Sequence, residues 1–446
     1  MLKKIANEVN KFINAEYQKI LKNIGWLFFD RIFRMGMGLV VGAWVARYLG
    51  PSDFGIFNYL LATIGILTPF ASLGLENMVV KELVENPSKA KIIMSTAITL
   101  RLISGLIAFA VCVTIFYFLK GDEPQTLYIG IILALTLIAQ ALISIELYYQ
   151  SKVASRIAVI SQSVAYIIAN VLKVVLILSG ASLIAFAVVT ALEMTLGGLF
   201  MLYSLKRFSK QSLAIALDKV LAKDLMVRGW PLIFSGFMIM IYMRIDQIML
   251  GEMVNDHEVG MYSAALKISE IWYIIPAILC NSFFPSIIDG KKLSQKIYFK
   301  KFQRLFDILF LISLAIAIGV TIFSDLIIDI LYGEQYSGAA LILTIHIWAA
   351  VFVFLGVGGN NFFIIENLQI KTFTRTALGA IANIILNMIL IPKYLAVGAA
   401  IATLISQFLS SYAFDLLSRK TYVLFKMKTR SMLGINYVLW FFRKSH

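Results

Sequence analysis

Long apolar runs separated by short polar breaks make up most of the chain. A bilayer core about 30 Å thick needs roughly 20 mostly apolar residues per spanning helix, and the sequence supplies twelve such runs. They cover residues 24–49, 54–75, 92–119, 127–149, 155–178, 182–205, 228–250, 256–287, 303–331, 338–365, 371–391 and 396–417. The pattern predicts an all-α integral membrane protein of about twelve transmembrane helices.

Composition agrees with this class and excludes others. The 446 residues are 60% hydrophobic and 15% charged, which lies well outside the usage of soluble domains. The net charge is +15. The lysines and arginines that produce it lie between apolar segments and do not form a basic run interleaved with stacking aromatics, so a nucleic-acid partner is not expected. Cys112 and Cys280 lie far apart in apolar segments and are predicted to pack. The sequence gives no metal-binding pattern, and the expected environment is the lipid bilayer.

Lysine and arginine residues are distributed unevenly over the connections between the runs. Thirty-one of them fall on alternate connections and the two ends, whereas the opposite connections carry Lys120 and Lys393. Basic residues of short connections are retained on the cytoplasmic side. The chain is therefore predicted to cross an even number of times, with both termini inside (N-in, C-in).

Polar stretches at the ends and in the middle divide the chain into domains. A cytoplasmic amphipathic interfacial helix (1–23) is predicted from its apolar face and scattered lysines. A first six-helix bundle (24–205), a cytoplasmic linker (206–227), a second six-helix bundle (228–420) and a basic cytoplasmic tail (421–446) follow.

The two predicted bundles carry a weak internal repeat. RYLGPSDFGIFNYLLA at 47–62 and IMLGEMVNDHEVGMYSAAL at 248–266 both place Leu-Gly before a short acidic loop and a second glycine before an aromatic residue. This alignment sets Gly55 on Gly260. Either the match reflects common helix-loop-helix punctuation, or the bundles are related by a pseudo-twofold axis along the membrane normal.

Several longer stretches point to a family. ARYLGPSDFGIFNY at 46–59, LGLENMVVKEL at 73–83, RIDQIMLG at 244–251, VGMYSAALKISEIWYIIP at 259–276 and SFFP at 282–285 resemble the polysaccharide transporter family of the multidrug/oligosaccharidyl-lipid/polysaccharide flippase superfamily. The resemblance implies a flippase of the bacterial cytoplasmic (inner) membrane. Its substrate would be an undecaprenyl-diphosphate-linked oligosaccharide, such as an O-antigen repeat unit, moved to the outer leaflet by alternating access. Other polysaccharide-assembly membrane proteins would be its partners.

Ionisable residues inside the predicted spans are candidates for this activity, because each is costly in lipid and usually faces a cavity or a partner. The basic ones suit a diphosphate: Arg31, Arg34, Arg101, Lys173, Arg244 and Lys267. The acidic ones are candidates for coupling to H+ or Na+, with no other cofactor expected: Asp30, Glu193, Asp246 and Glu270. Alternatively, Asp30 neutralises Arg34, the shallower cations extend to the interface, and the acids are permanent counter-ions.

Other functions fit the sequence less well. A multidrug and toxin extrusion antiporter shares the superfamily and is the alternative, but it would favour an acidic cavity. A membrane enzyme such as an oligosaccharide polymerase should carry a large outward loop or a His-centred catalytic group, and the outward loops here are short. GVGGNN at 356–361 lies inside an apolar run, where it predicts close helix packing or a locally broken helix.

Overall fold

The computed structural model describes the backbone of residues 2–209 and 216–434, and the side chains of Asn23 and of residues 25–208 and 216–434. The predicted interfacial helix (1–23) therefore lies almost wholly outside the residues with described side chains. Part of the predicted linker (210–215) and the end of the predicted tail (435–446) also lie outside. Every regular element in the described part is a helix.

The helices are numbered here in chain order. They are α1 (Leu2–Ser72), α2 (Glu76–Glu85), α3 (Ala90–Lys120), α4 (Pro124–Ile143), α5 (Ile145–Ser151), α6 (Ser155–Leu178), α7 (Leu183–Ser209), α8 (Lys219–Met253), α9 (Asp256–Glu270), α10 (Ile274–Leu293), α11 (Gln295–Ile322), α12 (Ser324–Tyr332), α13 (Ala339–His346), α14 (Ala349–Ile365), α15 (Gln369–Ser411) and α16 (Tyr422–Met432). Short 3₁₀ turns lie at Pro87–Lys89, Ile271–Tyr273, Glu334–Tyr336 and Ala413–Leu417.

Ten segments in the described residues are long and apolar enough to cross a membrane. Gly25–Glu85 and Gln369–Leu417 are the longest, and 61 residues of straight helix would reach about 90 Å, three times the bilayer core. Gly50 (φ 75°) interrupts the helical backbone inside α1, and Leu395 (φ 54°) interrupts it inside α15. Dividing the two segments at these breaks gives twelve apolar helices, so the predicted all-α membrane class is confirmed.

Some predicted spans have different boundaries in the structure. The run predicted at 256–287 is divided into α9 and α10 by a 3₁₀ turn, and the run at 303–331 ends at Ile322 before the separate helix α12. Helix α11 also begins earlier than predicted, at Gln295, because the Ser294 hydroxyl accepts a hydrogen bond from the Ile297 amide (3.2 Å) and caps it. Hydropathy marks only the apolar part of a helix, so polar helical ends are missed.

One compact unit comprises residues 1–45 and 63–237. Within it α3 packs against α4, and α4 and α6 both pack against α7. The approach of α3 to α4 depends on Gly105, where a Cβ atom would come within 2.6 Å of the Leu137 carbonyl oxygen. A buried core joins α2, α5 and one end of α3, with Leu75, Val79 and Tyr149 almost fully enclosed.

The other compact unit comprises residues 46–62 and 238–446. Within it α10 packs on α11 and α14, α13 packs on α9 and α15, and α16 packs on α11. The segment 46–62 is held by side chains of this unit: the Tyr59 hydroxyl donates to Glu252 Oε1 (2.6 Å) and the Tyr336 hydroxyl donates to the Ala46 carbonyl (2.9 Å). The sequence places the predicted limits of the two bundles at residues 205 and 228, on either side of the polar linker. These limits stay predictions.

Within this second unit, the two glycines aligned by the sequence repeat face each other's helix. A Cβ atom on Gly55 would overlap the carbonyl oxygen of Asp256, and a Cβ atom on Gly260 would overlap the carbonyl oxygen of Pro51. Pro51 and Asp256 each lie four residues before the glycine of their own helix, so the contact is reciprocal. A local twofold relation produces such reciprocity, while the symmetry of the whole bundles stays a prediction.

The GVGGNN segment lies inside the continuous helix α14, so close packing is confirmed and a broken helix is wrong. Gly359 leaves room for two buried cations of the same unit, since a Cβ atom there would lie 3.4 Å from Arg375 Nη1 and 3.2 Å from Lys428 Nζ. The second cation, Lys428 of α16, donates to Asp415 Oδ2 and to the Ser411 carbonyl, both at 2.6 Å. Burial lowers the pKa of Lys428, and the charge of Asp415 opposes this effect. The predicted tail therefore includes a helix with a buried ion pair.

Candidate functional site

The predicted site residues all lie within apolar helices, and each compact unit contains its own set. The first unit contains Asp30, Arg31, Arg34, Arg101, Lys173 and Glu193, and the second contains Arg244, Asp246, Lys267 and Glu270.

In the first unit, Arg34 forms an ion pair along its own helix. Its Nε lies 2.8 Å from Asp30 Oδ1, and the Ser163 hydroxyl donates to the same oxygen (2.7 Å). The guanidinium lies 5.1 Å from the ring centroid of Tyr166, whose hydroxyl donates to the Arg34 carbonyl (2.9 Å). Gly38 makes room for that hydroxyl. Arg34 Nη2 is buried without a hydrogen-bond partner in the described part of the chain, so one donor of this cation is available to a ligand.

A polar stripe on α6 continues from this pair. Ser163, Tyr166, Asn170 and Lys173 follow one another at intervals of three and four residues, so they share one helix face. Lys173 Nζ lies 3.2 Å from Glu193 Oε2 of α7, and both side chains are about one-fifth exposed. Two partly buried ion pairs, Asp30–Arg34 and Lys173–Glu193, therefore contact this face of α6.

Arg101 and Arg31 do not join this group. Arg101 is buried, with Nη2 donating to Glu76 (2.7 Å) and Nη1 donating to Ser144 (2.8 Å), so it ties α2 and the junction of α4 and α5 to α3. Arg31 is exposed on α1. Arg101 thus bonds to α2 and to Ser144, and the predicted contact of Arg101 and Arg31 with substrate stays a prediction.

In the second unit, Arg244 of α8 and two residues of α9 form another charged group. Arg244 Nη2 lies 3.4 Å from Glu270 Oε2, with the side chains 30% and 21% exposed. Lys267 Nζ lies 4.4 Å from the ring centroid of Phe54, within the range of a cation–π interaction. Lys267 and Glu270 are three residues apart on α9 and share a face.

Asp246 is surrounded by neutral donors. Its Oδ2 accepts hydrogen bonds from the hydroxyls of Tyr262 and Thr403, both at 2.6 Å, and its Oδ1 accepts from the Asn387 amide at 2.6 Å. The residue is 4% exposed. Within the described residues none of its hydrogen-bond partners is a cation, so Asp246 differs from Asp30, Glu193 and Glu270. Within the described residues its charge is thus stabilised by hydrogen bonds from neutral groups and not by an ion pair.

The residues around Asp246 were missed at the sequence level. Tyr262, Thr403 and Asn387 come from α9 and α15, and Asn383 lies one turn from Asn387 and accepts from it at 3.1 Å. A signal was present, because two asparagines four residues apart in an apolar run point to a buried polar face. The rings of Tyr262 and His346 pack nearly perpendicular to each other, with their centroids 5.9 Å apart.

Oxygen atoms suited to a hard cation are concentrated around Asp246. Besides the carboxylate they include the Thr403 hydroxyl and the side-chain oxygens of Asn383 and Asn387, of which Asn387 Oδ1 is buried without a hydrogen-bond partner in the described residues. Among those residues no group of three His, Cys, Asp or Glu side chains could hold a metal ion.

Comparison with known proteins identifies the family of this chain. Residues 20–290 match the sequence profile of the family described as "Polysaccharide biosynthesis protein". The chain belongs to this family. The profile covers the first unit from residue 20 onward, with the polar stripe of α6, and part of the second unit, including Arg244, Asp246 and α9.

Individual relatives and solved structures agree with this family. The chain is 26% identical over 399 residues to a Haloferax volcanii protein named "probable low-salt glycan biosynthesis flippase", covering 85% of this chain and 79% of the relative. Its fold resembles the lipid II flippase MurJ in an inward closed conformation (TM-score 0.69, 14% identity, 94% and 92% coverage). It also resembles an inward-facing multidrug resistance MATE family transporter of the MOP superfamily (TM-score 0.68, 15% identity, 92% and 98% coverage). The chain is thus a multi-pass membrane protein with the MATE/MurJ fold.

Proposed function

We propose that this protein is a flippase that moves a polyprenyl-diphosphate-linked oligosaccharide across the cytoplasmic membrane by alternating access. Membership of the polysaccharide biosynthesis protein family and a relative named as a glycan biosynthesis flippase support the substrate class. The predicted carrier is undecaprenyl diphosphate and the predicted location is the bacterial inner membrane. The observation that carries the proposal is the set of half-buried cations inside membrane-spanning helices.

Arg34, Lys173 and Arg244 each face a carboxylate and remain 18–30% exposed. Diphosphate oxygens form strong charge-assisted hydrogen bonds with arginine and lysine, so an entering diphosphate can replace the carboxylate as partner. In this proposal Asp30, Glu193 and Glu270 keep the cations neutralised before the substrate arrives. Lys267, on the same face of α9 as Glu270, belongs with Arg244 to the binding surface of the second unit. Because the diphosphate replaces the carboxylate beside each cation, the cation keeps an anionic partner during substrate binding.

Multidrug efflux is the second candidate, because the MATE transporter and MurJ resemble the chain almost equally in fold. Fold therefore does not distinguish the two functions. The charges distinguish them, because Arg34, Lys173 and Arg244 would repel a cationic drug once their carboxylates moved away. An anionic lipid headgroup is the better match.

Asp246 is proposed as the coupling acid. A carboxylate held by Tyr262, Thr403 and Asn387 can take up a proton, or a sodium ion with the neighbouring oxygens, and release it when the helices move. Asp30, Glu193 and Glu270 are each paired with a cation, which suits a counter-ion role better than ion exchange.

The N-in, C-in orientation is testable by cysteine accessibility. Single cysteines at Asp122, Asn255 and Gln335 of a Cys112→Ser/Cys280→Ser protein should react with an impermeant maleimide added to whole cells, because basic residues keep the opposite loops inside. A cysteine at Lys292 should react only after the cells are opened. Labelling of Lys292→Cys in intact cells would overturn the orientation.

Deletion of the gene should stop display of a surface glycan and leave lipid-linked repeat units inside. Wild type and the exposed-site variant Lys292→Gln should restore display. Arg244→Gln should lower it by roughly ten- to hundredfold, since a hydrogen bond to a charged group contributes about 1.5–3 kcal/mol. Display is measured by glycan blotting and normalised to protein in the membrane.

Two results would contradict this function. Intact glycan in the deletion strain, together with new sensitivity to cationic drugs, would favour multidrug efflux. Full display with Arg244→Gln at normal abundance would remove Arg244 from the binding surface.

A further inference from the structure

A groove open to one side lies on the first unit, between α1, α3 and α8. Its volume is about 540 Å³, within the range of pockets that hold small ligands. Phe70 and Phe237 form part of its lining, with ring centroids 4.9 Å apart. Ile103, Ile107 and Val111 of α3 form one wall. The groove is separate from the ion pairs on α6.

The lining is almost entirely apolar. Its one polar side chain, Ser104, donates to the Ala71 carbonyl (2.9 Å), so its hydrogen bond is made within the protein. The wall from Leu100 to Val111 rises about 16 Å along α3, roughly half the bilayer core. A sugar or phosphate placed there would lose its hydration without replacement. A hydrocarbon chain therefore suits this lining better than a polar headgroup does.

Two lysines of α8 lie beyond the groove on the helix face that lines it. Met226 and Phe237 line it and are eleven residues apart, so they lie on one face of the helix. Lys219 and Lys223 lie seven and three residues before Met226 and point to the same side. Both lysines are exposed. The same helix face thus changes from apolar to basic at one end of the groove.

Hydrogen bonds fix this basic end beside the wall. The Asp218 amide, just before α8, donates to the Thr96 hydroxyl of α3 (3.1 Å), and the Thr99 hydroxyl donates to the Ala216 carbonyl (3.3 Å). Thr99 directly precedes Leu100, where the apolar wall begins. Lys219 and Lys223 therefore lie at the end of the groove.

We propose that this groove binds the isoprenoid chain of the lipid-linked substrate, while Lys219 and Lys223 bind its diphosphate. An anionic diphosphate on a single long branched chain matches both parts of the surface, whereas a zwitterionic phospholipid carries its own ammonium group. The identity of the lipid rests on the proposed function. The groove would hold the substrate on the first unit before its headgroup reaches the ion-paired cations.

Photocrosslinking tests the proposal. The full-length protein in nanodiscs of phosphatidylethanolamine and phosphatidylglycerol is photolysed with undecaprenyl diphosphate carrying a diazirine on its chain, and labelled peptides are identified by mass spectrometry. Labels should map to the α3 wall and to α8. Ile107→Trp should lower labelling roughly tenfold by filling the groove. Leu106→Trp, at an exposed neighbour outside the lining, should leave it unchanged.

The lysines are tested with a second probe. Lys219→Gln/Lys223→Gln should weaken labelling by the diphosphate probe but not by the corresponding polyprenol, and Lys206→Gln/Arg207→Gln serves as the control of equal charge. Labels elsewhere, or equal competition by phosphatidylglycerol, would show ordinary bilayer lipid in the groove and overturn the proposal. Glycan display in the deletion strain is scored separately, so failure of the groove and failure of the flippase function are distinguishable.

Discussion

Replacing Asp246 by asparagine should strongly lower ion-driven transport and leave the protein folded in the membrane. Asparagine has nearly the same shape and still accepts hydrogen bonds from Tyr262 and Thr403, while the Asn387 amide can turn to offer its oxygen. Removing a buried charge that has no cationic partner among the described residues relieves desolvation. Gradient-driven flipping in vesicles should fall by roughly 5- to 150-fold, the usual range of coupling between sites.

Two variants make this result specific to the coupling site. Asp325→Asn changes an exposed acid of the same unit and should transport normally. Thr403→Val keeps the carboxylate but removes one donor, so transport should continue with a changed dependence on proton or sodium concentration. Normal gradient-dependent flipping by Asp246→Asn would exclude Asp246 as the coupling acid.

Replacing Lys428 by methionine should remove the protein from the membrane. Lys428 and Asp415 are fully buried and 2.6 Å apart, and Asp415 Oδ1 already lacks a hydrogen-bond partner in the described part of the structure. Removing one member of a buried ion pair leaves the other charge uncompensated, which costs about 3–5 kcal/mol. A loss of this size is a large share of the stability of a typical protein. Membrane abundance and thermal unfolding in detergent measure it.

The neighbouring helix position supplies the control. Lys426→Met removes an exposed lysine of α16 and should leave abundance unchanged. Adding Asp415→Asn to Lys428→Met should recover part of the loss, because no carboxylate is then stranded. Equal abundance of Lys428→Met and wild type would show that the pair does not stabilise the fold.

The fold was largely predictable because apolar length alone identifies membrane helices. The breaks at Gly50 and Leu395 fall between runs that hydropathy had already separated. Lys428 shows the limit of this approach. It was counted with the cytoplasmic basic residues, yet its side chain is buried against Asp415. Composition near a membrane surface does not distinguish an exposed lysine from one enclosed by a packed helix.

The candidate site was predicted residue by residue but not as an arrangement. Sequence singled out Lys173, Glu193 and Asp246 because ionisable residues are costly in lipid. The sequence alone did not identify an ion-pair partner for Glu193, because Lys173 lies on a different helix. The donors around Asp246 come from helices distant in sequence, and their convergence depends on how each helix is rotated. Periodicity within one helix carries no information on that rotation.

The reciprocal contact at Gly55 and Gly260 has a consequence for the origin of the chain. Each helix offers a glycine to the other's backbone from the equivalent position, as two identical subunits do across the axis of a dimer. A shorter ancestor with one such glycine could therefore have made the same crossing with a second copy of itself. Fusing two gene copies retains the crossing and lets each half diverge. One half could then gain the acid at Asp246, and the other the polar stripe of α6.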